Sequence, residues 1–153
     1  MNTYSVKIFS EIQIQFSVGN VYLVHSKIEI DKKELFYSKA AFYLNYSFFE
    51  AVKVIPFFEN LTAAEQKRIA RSLQDCFGFN VRVDDLFGKI LITLFYNIEL
   101  HNLVIVGLVG LSDSSIDTLI KILKKVVFKE KSKVFIMTKT TSSLNAKIAV
   151  TTF

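Results

Sequence analysis

Polar and apolar residues alternate at the start of the chain. Ile12, Ile14 and Phe16 fall on one side and Glu11, Gln13 and Gln15 on the other, the period-two mark of a half-buried strand within Tyr4–Phe16. Gly19-Asn20 signals a turn, and Val21–His25 (VYLVH) follows as a more buried strand. The pair predicts an N-terminal hairpin. From Asp31 the period changes. Leu35, Phe36, Phe42, Tyr43, Tyr46 and Phe49 recur at helical spacing, and Pro56 breaks or kinks the run. Thr62-x-x-Glu65 is a capping box for an amphipathic helix over Ala63–Phe77, and Gly78 stands where a helix C-terminal glycine belongs. Residues 31–77 therefore predict a helical insertion within a single domain, 1–153.

The second half alternates helices with strands. Phe79–Val83 reads as a short strand, and Asp84 as the cap of an apolar helix over Leu86–Leu100. Leu103–Val109 is a continuous β-branched run, as expected of a strand buried on both faces of a parallel sheet. Ser112-Asp113 supply the next cap. Ser114–Phe128 is amphipathic, with Ile116, Leu119, Ile120, Leu123, Val126 and Val127 inward. A basic turn, Lys129–Lys133, leads to a strand over Val134–Thr138, and a last strand near Lys147–Thr152 closes the edge. The order predicts an α/β fold with a right-handed βαβ unit and a mostly parallel sheet.

Composition removes whole classes. The chain has 153 residues, a one-domain length; 51% are hydrophobic and 22% charged, with Phe 15 and Tyr 6. Disordered chains lack that aromatic content. One Cys and two His exclude a disulfide framework, a Cys-rich zinc module and any nucleophile–base–orienter set. Cys76 reads as a buried helical thiol. A mean hydropathy of +0.35 raises the question of a membrane. The longest uncharged apolar run, Leu103–Leu111, is nine residues, whereas a span needs ~20. With no apolar leader, a cytoplasmic protein is expected.

The βαβ reading invites a nucleotide, but the phosphate-binding chemistry is missing. Val21–His25 is followed by Ser26-Lys27-Ile28-Glu29, with no Gly-rich loop. Leu103–Val109 runs into Gly110-Leu111, not into magnesium-holding acids. No nucleotide and no enzymatic activity are expected. Asp84 and Asp85 could be paired carboxylates of a small metal-dependent nuclease, or dipole-compensating caps. Asp113 and Asp117, four apart on one helical face, could share calcium, or serve as cap and solvated surface.

The charge excess is uneven. Residues 1–80 carry 9 basic and 8 acidic residues, whereas residues 81–153 carry 10 and 6. Lys121, Lys124, Lys125, Lys129, Lys131 and Lys133 fall within 13 residues. Positions 121, 124, 125 and 128 share one helical stripe, so the first three lysines project together. Lys67, Arg68 and Arg71 form a second basic group. Lysines without Arg or Asn/Gln clusters suit sequence-independent contact with phosphates; the other reading is a solvated lysine-rich face.

These residues carry a family resemblance. Cys76-Phe77-Gly78-Phe79-Asn80-Val81, the helix Asp85–Glu99, the segment LVIVGLVGLSDSSIDTLIKILKKV and the strand KVFIMTK are similar to the C-terminal half of the Csn-two family of type II-A CRISPR adaptation proteins. The opening EIQIQFSVGNVYLVHSK resembles that family's hairpin. The likeness covers residues 1–27 and 73–140. It implies a degenerate, ABC-ATPase-like (P-loop-like) head without a phosphate loop. It implies a ring-forming homotetramer, stabilised by calcium, that binds double-stranded DNA ends without sequence preference. It further implies partnership with the Cas integrase and effector nuclease during spacer acquisition, an antiviral defence. Calcium ligands do not map residue by residue; Asp84, Asp85, Asp113 and Asp117 are the candidates. One departure is visible: the stretch 30–75 is shorter than the helical leg members usually carry. Leu61–Ala70 also resembles the signature helix of ABC ATPases, with Ala63 and Ala64 where that helix has glycines. The rival expectation is a degenerate NTPase-fold interaction subunit that never touches DNA.

Overall fold

The structure, a computed structural model, describes residues 3–8, 12–25, 41–44, 54–108, 111–139 and 149–153. Among them the elements run β1 (Thr3–Ile8), β2 (Ile12–Ser17), β3 (Val21–His25), β4 (Ala41–Leu44), α1 (Val54–Asn60), α2 (Ala63–Phe77), α3 (Leu86–Leu100), β5 (Leu103–Gly107), α4 (Asp113–Lys129), β6 (Val134–Lys139) and β7 (Ala149–Thr152). The fold is mixed α/β with a mostly parallel five-stranded sheet in the order β4-β5-β6-β3-β7. β4, β5, β6 and β3 run parallel, and β7 closes the edge antiparallel to β3.

The uninterrupted apolar run at β5 is buried at all five positions, as a strand covered on both faces must be. Its side chains alternate between two cores. Val104 and Val106, with Phe135 and Met137 of β6, meet helices α2, α3 and α4; Leu103 and Ile105, with Val134 and Ile136, meet the β1–β2 ribbon. The ribbon docks through Val6 and Phe16, and Phe16 packs edge-on against Tyr22 at a ring distance of 5.0 Å. Full burial of each such side chain contributes about 2 kcal/mol.

The N-terminal pairing corrects the expected hairpin. β1 pairs with β2 antiparallel, Thr3 opposite Ser17, so the hairpin lies one strand earlier. β3 instead enters the main sheet. Gly19, at φ 79°, makes that transfer, and its amide donates to the Lys133 carbonyl at 2.7 Å. A central strand gains two partners, where a hairpin would leave β3 one.

The helical insertion over 31–77 is corrected at its middle. Ala41–Leu44 is a strand, parallel to β5 with Ala41 opposite Leu103. Helical spacing of the aromatics is overruled there by the open edge of β5, whose backbone groups need partners. The candidate positions 35, 36, 46 and 49 lie outside the described residues. Pro56 sits in the first turn of α1, where its missing amide costs nothing. Gln66 ties α1 to α2 by donating to the carbonyls of Phe58 and Leu61.

The predicted capping box is present. The Thr62 hydroxyl accepts from the Glu65 amide at 3.1 Å, and Glu65 accepts from the Thr62 amide at 3.2 Å. Gly78 ends α2 at φ 66°. Cys76 is exposed on α2, not buried, because Ile69 and Leu73 form the inward stripe. The segment Phe79–Val83 is not a strand. It crosses the start of α3 so closely that a Cβ on Gly88 would lie 1.8 Å from the Arg82 carbonyl oxygen. The Arg82 carbonyl accepts from the Asp85 amide at 3.3 Å, the bond of a turn and not of a ladder. The helix over Leu86–Leu100 forms as expected and is buried through most of its length.

Candidate nucleic-acid interface

The nine predicted basic residues do not act as one patch. Lys121, Lys124 and Lys125 do project together. All three are exposed on α4, and none makes an ion pair with a described residue. The reason lies in the helix pattern: Leu119, Ile122, Leu123, Val126 and Val127 take the sheet side, which leaves the i, i+3, i+4 lysines on the crest. Phe128 completes this stripe and is 80% exposed.

Lys133 is a correction. It is 6% exposed and faces away from solvent. Its ammonium donates to the carbonyl of Ile98, and to that of His101 at 3.1 Å. The last carbonyls of a helix have no intrahelical donor and carry the negative end of its dipole. Lys133, the residue before β6, therefore caps α3; two of its three N–H donors are engaged and the side chain is buried, which takes it out of reach of a phosphate backbone.

Two further cations are partly withdrawn. Arg68 forms a two-point ion pair with Glu99, at 2.9 and 3.1 Å. The Glu99 carboxylate beside it holds the guanidinium above its ordinary value. Lys129 lies over the Phe77 ring at 5.6 Å, a cation–π contact that turns it toward α2. Lys67 and Arg71 stay exposed and, with Arg68 and Asp75, line an open depression. Lys131 is exposed in the turn after α4.

The four candidate aspartates do not converge. Asp85, not Asp84, caps α3, accepting from the Phe87 amide at 3.2 Å. Asp84 faces Arg82 at 3.5 Å on the surface. Ser112 caps α4 through the Ser115 amide, and Asp113 is the first helical residue, where its charge complements the dipole. Asp117 is exposed one turn later. Among the described residues no group of three or more His, Cys, Asp or Glu could hold a metal ion. Calcium takes six to eight oxygens, and no three of these carboxylates come together to begin such a shell.

One feature of the surface escaped the sequence pattern. Val18, Lys124, Val127, Phe128, Lys131 and Phe153 line an open groove of about 520 Å³ beside the lysine crest. Its signal was Phe128, the one aromatic residue in a four-residue stripe otherwise made of Lys121, Lys124 and Lys125.

No protein-family model matches the chain, and no curated protein matches it. Among solved structures it is similar to one described as an ATP-binding subunit of an ABC transporter, with a TM-score of 0.43 and 15% identity over 88% of this chain and 78% of that one. No helix among the described residues is long and apolar enough to cross a membrane.

Proposed function

We propose that this chain is a non-enzymatic, oligomeric protein that binds double-stranded DNA without sequence preference, in the manner of the Csn-two adaptation proteins it resembles. The observation that carries the reading is the α4 crest: Lys121, Lys124 and Lys125 exposed side by side, without a carboxylate partner among the described residues. Point charges on flexible stems meet phosphates and read no base. The sheet supports the degenerate P-loop-like part of the reading. β3 lies inside it beside β6, the β5–α4–β6 unit is parallel, and Ser26-Lys27-Ile28-Glu29 follows β3 in place of a glycine loop. Ring formation as a homotetramer and partnership with the Cas integrase and effector nuclease belong to the same proposal.

The test is binding to linear and to covalently closed circular DNA over a salt series. The proposal expects tighter binding to linear DNA and affinity that falls steeply with salt. Replacing the three crest lysines by Glu removes up to three phosphate contacts, so the salt slope drops by about 2.7. Equal affinity for the two DNA forms sinks the end-binding part. An unchanged slope in the triple variant sinks the crest as the contact surface.

A further inference from the structure

Phe128 is the observation the phosphate-binding reading leaves unused. It is 80% exposed at the end of α4, whereas the neighbouring Val126 and Val127 are buried. An aromatic ring in water is unfavourable by the apolar area it exposes. Here the ring lines a groove together with Lys124, Lys131 and Phe153. The groove walls are held in place by backbone hydrogen bonds. Gly19 donates to the Lys133 carbonyl at 2.7 Å, Lys133 to that of Glu130 at 3.2 Å, and Phe153 to that of Val21 at 2.9 Å. A Cβ on Gly19 would come within 3.3 Å of the Lys131 carbonyl oxygen, so the two loops touch. The acidic side chains nearest along the chain are Asp117, one turn before Lys121, and Glu130, both exposed; neither lines the groove.

Basic side chains around an exposed aromatic platform fit a flat π-face carried on a phosphodiester. Lysines hold the backbone, and the ring takes a base by stacking, which tolerates any sequence. In an intact duplex the bases are already stacked, so only an unpaired terminal base is free to be received. We infer that the Phe128 groove receives an unpaired nucleobase at a DNA end, with Lys124 and Lys131 on its flanking phosphates. This rests on the DNA-binding reading and deepens it, since it separates an end with an overhang from a blunt one.

The experiment uses the full chain and two hairpin duplexes of one sequence, one blunt and one with a short 3′ overhang carrying a fluorescent adenine analogue. The wild type binds the overhang at least fivefold more tightly, and the analogue's fluorescence changes as it stacks. Phe128→Ala loses that preference and the fluorescence change, keeps blunt-end affinity within twofold, and retains its circular dichroism spectrum. Phe128→Trp restores both. If Phe128→Ala weakens both duplexes equally, or neither, the groove is not a base site and the inference falls while the DNA-binding reading stands. If the wild type binds neither duplex, both fall. If an Asp/Glu-rich peptide with one aromatic residue binds more tightly than the overhang and depends on Phe128, the groove belongs to a protein partner and the inference falls.

Discussion

The surroundings of α3 and the crest of α4 use the same residue types in opposite ways. Around α3 the charged groups have partners: Lys133 sits on the C-terminal carbonyls, Arg68 on Glu99, and Asp85 on the Phe87 amide in the first turn. On α4, Lys121, Lys124 and Lys125 are exposed with no such partner, and an apolar ring stands among them. Lys131 and Lys133 show the contrast at a distance of two residues, one exposed and one 6% exposed. A cluster counted along the chain is therefore not a surface patch. What decides is whether an orphaned backbone carbonyl or a carboxylate lies within reach, since burying a charge without a partner costs several kcal/mol.

The contrast breaks most severely at Gly88. The Cβ of an alanine there would press against the Arg82 carbonyl oxygen at 1.8 Å, against backbone that cannot swing aside as a flexible side chain could. The 79–85 segment must move, and a cost of about 3 kcal/mol is expected in urea unfolding. Gly78→Ala is the control. Its Cβ would meet nothing within 4 Å, so only the left-handed φ of 66° is penalised, by about 1 kcal/mol. Equal losses at the two positions would show that α3 is not held tightly against its entry loop.

Lys133→Met comes next. It keeps the apolar stem and removes the donors, leaving the carbonyls of Ile98 and His101 without the ammonium, at a cost of about 2 kcal/mol. Lys131→Met at the exposed neighbour is expected within about 0.5 kcal/mol of wild type. The measurement is the pair of urea midpoints. Two equal shifts would erase the distinction between engaged and free lysines.

How much of this was legible in the sequence follows from range. The capping box at Thr62, the Gly78 stop, the β5–α4–β6 unit and the α4 crest were legible, because each depends on residues within a few turns of one another. What was lost depended on distant partners. β3 left its expected hairpin for β6, more than 100 residues later. Ala41–Leu44 became a strand because β5 had an open edge. Lys133 turned inward because α3 ended beside it, 32 residues earlier at His101. Arg68 met Glu99, 31 residues away. The groove at Phe128 needed Val18 and Phe153, which no local window joins.

Arg68 and Glu99 test the engaged side more gently. Both side chains are about half exposed, 52% and 46%. A double-mutant cycle with alanine at each should give a coupling of about 0.5 kcal/mol that shrinks with added salt. A coupling unaffected by salt would mean that the pair joins α2 to α3 by packing of the Arg68 stem and not by charge.

The smallest expected effect belongs to Glu65, at the opposite end of α2 from Cys76. Its carboxyl lies below the usual carboxylate range, first because the Thr62 amide donates to it and then because the Thr62 hydroxyl does; burial opposes this. The folded state therefore favours the ionised form. That contribution is complete above the unfolded carboxyl's value and is lost as pH falls through the lower folded value. Glu65→Gln keeps a capping side chain but cannot titrate. The wild type should thus exceed Glu65→Gln in stability near neutral pH, with the gap closing as pH falls from about 6 to about 3. A gap that stays constant over this range would mean that the cap works by hydrogen bonding alone. The charge at this helix start would then be as unengaged as the lysines of α4, and α2 would be held by Ile69 and Leu73.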